Sequence, residues 1–426
     1  MLTISIFICL ITLIVIGLPI AISLCLTSII YLFFLVDPKE IFIVSQKLIT
    51  SLDSFPLLAI PFFIFSGVLL AECGAARKLV NFVNYIFQNF RGGLGIASVF
   101  GCALFATLSG SSPATLIAVG SIMFPALVSN GYTKGMAVGI LSTSGTLGIL
   151  IPPSIVLIIY AVTTSQSAGK LFLAGVIPGL LLTLILSFFI FYKSKNEIVK
   201  KKEFSFYEFL NLFKIAMPTF ALILIIIVGI YGGFFTPTEA AAVAVFFSFI
   251  ISVSAKENLS LNQLKNTFIN GSLSSSSLLF VITSAILFSY LLSVINLPNE
   301  LFNFFNDNQF SKFEFLIILN LVLIIFGQFM DPSSIILIVA PLILPISNSL
   351  GIDPIHLGII MTVNMEIGLI SPPVGLNLFA AKNVSNMNIK SICYFVLPWL
   401  MILLLFLAII CYFPQLSLWL PSKFFN

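Results

Sequence analysis

Residues 142–154 read Ser142-Thr143-Ser144-Gly145-Thr146-Leu147-Gly148-Ile149-Leu150-Ile151-Pro152-Pro153-Ser154. Two consecutive prolines interrupt an apolar stretch that would otherwise continue as a helix, because proline lacks a backbone donor and clashes with the preceding turn. Hydroxyls and glycines stand ahead of them. The pattern returns 220 residues later, as Asn364-Met365-Glu366-Ile367-Gly368 followed by Ser371-Pro372-Pro373. Gly131, Ile140, Gly148, Pro152 and Pro153 recur as Gly351, Ile360, Gly368, Pro372 and Pro373, and Pro125 recurs as Pro345. Only nine identities fall across residues 110–161, but most are Gly or Pro, where backbone shape is set. Upstream the register drifts: Leu79 and Asn81 match Leu301 and Asn303, and Gly17-Leu18-Pro19 aligns with Phe235-Thr236-Pro237. Residues 1–192 and 214–426 therefore read as two copies of one unit joined by a linker at 193–213. Each copy is expected to hold three spans, an amphipathic arm, a hairpin, a broken helix and a final span.

Composition fixes the setting. Of 426 residues, 59% are hydrophobic and 8% are charged. A soluble domain carries roughly 25% charged residues. The chain thus reads as an all-α integral membrane protein, not a soluble enzyme, nucleic-acid binder or disordered segment. His356 is the only histidine, which argues against a His-based metal cluster or hydrolase triad. No GxxxxGK[ST] loop is present for nucleotide hydrolysis. The six cysteines lie in or beside apolar stretches and read as small buried hydrophobes. No Lys or Arg precedes Lys39, so the first apolar stretch is expected to remain as a membrane helix.

The run 2–36 is too long for one span, at about 52 Å of helix against a hydrocarbon core of about 30 Å. Gly17 and Pro19 divide it into two. Residues 92–128 and 313–349 are interrupted by Ser109-Gly110-Ser111-Ser112-Pro113 and Met330-Asp331-Pro332-Ser333-Ser334. Reading both as re-entrant hairpins sorts the charges. Fourteen Lys and Arg, among them Arg77, Arg91, Lys134, Lys195, Lys200, Lys201, Lys202, Lys256 and Lys390, fall on one face. Five fall on the other: Lys39, Lys47, Lys170, Lys312 and Lys423. The positive-inside bias makes the first face cytoplasmic and the N-terminus external. The two copies are then inverted. Lys193–Lys202 reads as an ordinary cytoplasmic loop.

Inverted repeats with helices interrupted at matching places point to a secondary transporter. Backbone freed in hydrocarbon is tolerated only where it lines a polar site. The first candidate Na⁺ site pairs Ser109, Gly110, Ser111 and Ser112 with Gly145, Thr146 and Gly148 of the broken helix at 135–165. Hydroxyls and carbonyls are hard oxygen ligands suited to Na⁺. The second pairs Gly327, Met330 and Asp331 with Asn364, Met365 and Gly368 of the broken helix at 355–381. Ser112, Pro153, Asp331, Ser334 and Asn377 are the candidate substrate contacts. Asp331 and Glu366 are acids at membrane depth, costly there and functional by default. Asp331 also suits an N-cap ahead of Pro332. Glu366 has the alternative of facing a cytoplasmic vestibule. Thr236-Pro237-Thr238-Glu239 reads as a capping box. Neither break contains Lys or Arg, so helix N-termini and bound Na⁺ are left to neutralise an anionic substrate.

These motifs resemble the large membrane subunit of TRAP transporters, the tripartite ATP-independent periplasmic family. The likeness rests on Pro61-Phe62-Phe63-Ile64, Arg91-Gly92-Gly93-Leu94, Ser109-Gly110-Ser111-Ser112 and Gly145-Thr146-Leu147-Gly148 with Ile151-Pro152-Pro153-Ser154. It continues through Phe235-Thr236-Pro237-Thr238-Glu239, Met330-Asp331-Pro332, Gly351-Ile352-Asp353-Pro354-Ile355-His356 and Pro372-Pro373-Val374-Gly375-Leu376-Asn377-Leu378. The resemblance implies a non-enzymatic importer in the bacterial inner membrane. It implies an elevator motion of the hairpins and broken helices, with Na⁺ held between each hairpin tip and its broken helix. The implied partners are a small four-helix membrane subunit, expected here as a separate polypeptide, and an extracytoplasmic solute-binding protein that hands over a carboxylate. Na⁺ is the coupling ion and no cofactor is expected; membrane lipids surround the chain, and nucleic acid is not a partner. The alternative is a self-sufficient Na⁺/organic-anion symporter of the divergent anion-symporter architecture. On this reading Gly148→Val and Gly368→Val should make Na⁺-driven transport fall steeply with stability near wild type, because Val forbids positive φ and fills the gap that an ion must pass.

Overall fold

The computed structural model describes residues 2–35, 42–194, 203–254 and 261–425. Lys39, Lys195, Lys200, Lys201, Lys202 and Lys256, used in the charge count, lie outside these residues. The described residues form helices and no strand. Among the described residues, eight helices are long and apolar enough to cross a membrane, with shorter apolar helices beside them.

The element order recurs. Leu2–Val15, Ile20–Leu35 and Phe55–Glu72 precede the amphipathic arm Ala75–Phe87. The first hairpin follows (Gly93–Ser109 and Ser112–Ser129), then a broken helix (Lys134–Leu150 and Ile155–Thr163) and the long helix Ala168–Lys193. In the second half Phe206–Tyr231, Pro237–Ser254 and Leu261–Val294 precede the arm Leu297–Asp307. The second hairpin (Lys312–Gly327 and Pro332–Ser349), the second broken helix (Pro354–Ile370 and Leu376–Ser385) and Ile389–Tyr412 complete the order. Phe206–Tyr231 begins ahead of residue 214, inside the stretch read as linker, because Ser205 caps it through Glu208 N. Phe42–Thr50 and the C-terminal Gln415–Phe424 are helices beyond that common order.

Local chemistry sets the helix ends. Leu2–Val15 stops at Gly17, whose φ of +97° suits glycine and few other residues. Thr133, Ser167, Asp353 and Asn388 each accept a backbone N–H at the start of the helix that follows. Glu239 accepts from Thr236 N at 2.8 Å and Glu239 N donates to Thr236 Oγ1 at 3.3 Å, the capping box that the sequence suggests. A second box joins Ser311 and Glu314.

Two sets of helices emerge from the packing. Pro237–Ser254 lies against Phe55–Glu72, and Leu261–Val294 against Ile20–Leu35. The hairpins and broken helices pack mainly on one another and on Ala168–Lys193 and Ile389–Tyr412. The halves interlock reciprocally. Leu376–Ser385 packs on Ser112–Ser129 of the first hairpin, while Ile155–Thr163 packs on Pro332–Ser349 of the second. Close approaches are bought with glycine: a Cβ on Gly139 would fall 2.1 Å from the Trp399 indole nitrogen. The first broken helix and Pro354–Ile370 of the second are deeply enclosed, 89% of the apolar window in Lys134–Thr164 being buried.

Candidate functional site: two tip-and-break junctions

Each hairpin tip meets the break of the broken helix in its own half of the chain. In the first, Gly110 ends Gly93–Ser109 in the left-handed region (φ +57°). Its carbonyl accepts from Ile155 N at 3.3 Å. In the second, Gln328 O accepts from Gly375 N at 3.2 Å. The helix C-termini at these places leave carbonyls without intrahelical donors and carry partial negative charge. The helix N-termini beginning at Ser112, Ile155, Pro332 and Leu376 leave N–H groups and partial positive charge. Oxygen donors for a hard cation and N–H groups for a carboxylate thus stand close together. No Lys, Arg or Asp is buried among the described residues, so backbone ends are the positive groups at these depths.

The first tip is tied by hydroxyls. Ser109 Oγ and Thr115 Oγ1 are 2.6 Å apart, and Thr115 Oγ1 donates to Ser111 O at 2.8 Å. Ser111 N donates to Ser109 Oγ at 3.4 Å. Gly148 lies directly on this tip: a Cβ there would be 2.5 Å from Ser111 O and 2.8 Å from Thr115 Oγ1. Gly145 packs beside it, its notional Cβ 2.8 Å from Leu116 Cβ. Pro153 O lies 3.2 Å from the position a Cβ on Gly110 would take. Ser109, Gly110, Ser111, Gly145, Gly148 and Pro153 are therefore brought together. Thr146 is not among them. Its hydroxyl donates to Thr143 O at 2.8 Å, and the polar side chain beside it is Glu366 of the other broken helix.

The second tip relies on close approach. A Cβ on Gly368 would lie 2.6 Å from Gly327 Cα, and one on Gly327 would lie 2.9 Å from Gly368 Cα. Gly148 and Gly368 are helical and have no positive φ. This corrects the expectation that φ freedom is what these glycines supply. They supply space, and filling it would displace backbone, so valine at either position is expected to cost stability. Positive φ is needed instead at Gly110 and Gly375.

Asp331 caps Pro332–Ser349, accepting from Ser334 N at 3.0 Å and from Ser334 Oγ at 2.5 Å. Asn364 Nδ2 donates to Asn320 Oδ1 at 2.8 Å, while Asn364 Oδ1 is buried without a partner. The Met365 side chain is buried. Met330 lines an apolar cavity of about 650 Å³ shared with Phe7, Leu10, Phe288, Phe305 and Phe315. Asn377 crosses between the halves. Its Nδ2 donates to Ser112 Oγ at 2.8 Å and to Ser142 O at 3.1 Å, and Ser112 Oγ also lies 3.1 Å from its Oδ1.

Sequence reasoning did not find Asn320 or Thr115. Asn320 was detectable as a lone amide in an otherwise apolar helix, since such a group is costly without a partner. Thr115 carries no comparable signal, because its role depends on the geometry of the tip.

Comparison with known proteins agrees with the geometry. Residues 7–416 match the family described as tripartite ATP-independent periplasmic transporter, DctM component. The chain is 46% identical over 389 residues to a C4-dicarboxylate TRAP transporter large permease protein of Pseudomonas aeruginosa, covering 91% of each chain. It is 42% identical over 428 residues to the protein of the same description from Rhodobacter capsulatus, covering 97% of each. In fold it resembles the crystal structure of the YdaH transporter of Alcanivorax borkumensis, with a TM-score of 0.64 and 13% identity over 93% of this chain and 97% of that one. With a family match over nearly its whole length and helices that suit a multi-pass membrane transporter, the chain belongs to the DctM component of the tripartite ATP-independent periplasmic transporters, a permease subunit and not an enzyme.

Proposed function

We propose that the chain is the large membrane subunit of a Na⁺-coupled importer of C4-dicarboxylates. The observation that carries this reading is the repeated junction of hairpin tip and broken helix. Each offers backbone oxygen for Na⁺ and helix N-termini for a carboxylate, with no buried Lys or Arg nearby. Relatives at 42% and 46% identity carry the description C4-dicarboxylate TRAP transporter large permease, which supports a four-carbon dicarboxylate as substrate. A relative at 36% identity is described as an isethionate permease and one at 32% as a sialic acid permease, so the anionic group is the shared feature.

On this reading the chain lies in the bacterial cytoplasmic membrane with its N-terminus outside and its two halves inverted. The hairpins and broken helices move as a unit against the remaining helices, in elevator fashion. Ser109, Gly110, Ser111, Ser112, Gly145 and Gly148 serve the first Na⁺ site, and Gly327, Asp331, Asn364 and Gly368 the second. Bound Na⁺ supplies the full positive charge that the protein lacks at the dicarboxylate. A small membrane subunit steadies the static helices, and an extracytoplasmic solute-binding protein delivers the acid.

The test is reconstitution into proteoliposomes with both partner proteins and a labelled four-carbon dicarboxylate. Uptake should require an inward Na⁺ gradient, respond to more than one Na⁺ per cycle, and fall to background without either partner. Equal uptake with K⁺ and a proton gradient would overturn the Na⁺ coupling. Robust uptake by the chain alone would overturn the tripartite reading in favour of a self-sufficient symporter.

A further inference from the structure

Building on the Na⁺ reading of the second junction, we propose that Asn320 is a positioning residue of that site. It holds the Asn364 amide so that Asn364 presents its oxygen, and not its NH₂ group, to the cation.

Both amide protons of Asn364 are spent. Its Nδ2 donates to Ile360 O at 2.9 Å and to Asn320 Oδ1 at 2.8 Å, and an amide nitrogen has two protons. Ile360 O is a backbone carbonyl that can only accept, so the atom beside it must be the nitrogen. The other terminus of the amide is then Oδ1. Asn364 is 0% exposed, and Oδ1 is buried with no donor. A buried amide oxygen without a partner is costly. It is also a hard ligand of the kind a small cation takes.

Asn320 is oriented in its turn. It is the one polar residue between Glu314 and the end of Lys312–Gly327, the first arm of the second hairpin. Its Nδ2 donates to Cys411 Sγ at 3.4 Å, in the helix Ile389–Tyr412. With its nitrogen on the sulfur, its oxygen is left for Asn364. The line Cys411–Asn320–Asn364 thus joins the final helix, the hairpin and the broken helix. Its inner end is at the junction: Asn364 O lies 4.0 Å from the position a Cβ on Gly327 would take, and Gly368 is one helical turn further on.

The first half shows why the second needs this support. Ser144, 220 residues before Asn364, donates to Ile140 O at 2.6 Å, and Asn364 makes the matching bond to Ile360 O. A serine oxygen sits on a short arm next to its backbone. The asparagine oxygen sits on a longer arm, and half a turn of the amide would put N–H groups where a cation needs oxygen. Two bonds oppose that rotation, to Ile360 O and to Asn320 Oδ1. Removing Asn320 leaves one.

The test is thermal unfolding of the purified chain with its small subunit, in lipid nanodiscs, as Na⁺ replaces K⁺ at constant ionic strength. Na⁺ should stabilise the wild type, and the readout is the Na⁺ concentration that gives half of the gain. Asn320→Leu should raise that concentration about tenfold, the lower end for losing a group that orients a metal ligand. Leucine suits this apolar helix, so the unfolding temperature in K⁺ should stay close to wild type. Asn320→Ala makes the same cut without added bulk and should give the same shift. Asn364→Ala should raise the half-point at least as far. Adding Asn320→Leu to Asn364→Ala should raise it no further, because Asn320 acts only through that amide. A wild-type half-point in both Asn320 variants, or a further rise in the double variant, would overturn the proposal and leave Na⁺ coupling standing. A lowered unfolding temperature in K⁺ with an unmoved half-point would mark a bond that only supports the fold, and would also overturn it. A wild type that Na⁺ stabilises no more than K⁺ would overturn the Na⁺ reading itself, and the positioning role with it.

Discussion

Asn377 and Ser112 stand 265 residues apart in the chain and meet inside it, with Asn377 Nδ2 donating to Ser112 Oγ at 2.8 Å. The same amide donates to Ser142 O at 3.1 Å. One side chain from the second half thus holds both the hairpin and the broken helix of the first. All three residues are fully buried, so the bonds are not shared with water.

Replacing Asn377 with leucine should strand Ser112 Oγ and remove the second donor to the helical carbonyl of Ser142, at about 1–3 kcal/mol. Ser112→Ala removes the opposing group. Because the two side chains are in contact, their effects should not add: the double variant should be about 1 kcal/mol less damaged than the sum of the singles. Thermal unfolding of the four proteins in one detergent measures this. Additive losses would mean that the contact contributes nothing.

Gly368→Ala is expected to cost about 1–3 kcal/mol through overpacking, since its Cβ would lie 2.6 Å from Gly327 Cα and only backbone movement could relieve it. Gly148→Ala should behave alike against Ser111 O. Both should unfold at lower temperature and transport poorly. Full stability in either would mean that the tips yield freely, contrary to two backbone segments in direct contact.

The repeat, the span pattern and the places of the breaks were legible because they are written in apolar runs and in Gly and Pro, which act locally. Ser109-Gly110-Ser111 and Pro152-Pro153 mark irregular backbone in any fold. What each polar side chain touches was not legible. Thr146 stands one residue from Gly145 and two from Gly148, yet a helix turns about 100° per residue and carries it to the opposite partner, Glu366. Asn377 reads in sequence as a substrate contact, yet its amide is held by Ser112 and Ser142 of the other half. Such pairings depend on how two halves interlock, and no local pattern encodes that. The reason for the glycines was likewise hidden: a sequence shows that a side chain is missing, and only the structure shows whether φ or space required it.

Asp331 caps a helix through Ser334 and lies beside the Gly327–Gly368 contact along the chain. Asparagine preserves a cap acceptor, whereas alanine removes it at about 0.5–2 kcal/mol. We expect Asp331→Ala to lose stability by that amount and Asp331→Asn to retain it. If the charge serves Na⁺ at the second site, Asp331→Asn should still lose at least tenfold in Na⁺-driven uptake. Uptake equal to wild type in the asparagine variant, with a normal unfolding temperature, would confine Asp331 to its capping role.

Ser111 separates transport from folding most sharply. It occupies the N-cap of Ser112–Ser129, but its side chain makes no capping bond. The tip is held by other atoms: Ser111 N bonds Ser109 Oγ, and Thr115 Oγ1 bonds Ser111 O. Those bonds survive in Ser111→Ala, and the residue is only half-buried, so little packing is lost. The unfolding temperature should therefore stay near that of wild type. If the hydroxyl is a Na⁺ ligand, its removal should cost about 1.5–3 kcal/mol of binding, the value for a bond to a charged group. This corresponds to a weakening of Na⁺ affinity by roughly 10- to 150-fold. Uptake measured against Na⁺ concentration should show the half-saturation point moved up by that factor, with uptake partly restored at high Na⁺. A structural role predicts the reverse, a lowered unfolding temperature with unchanged Na⁺ dependence. Half-saturation at the wild-type concentration in a stable Ser111→Ala protein would remove Ser111 from the first Na⁺ site.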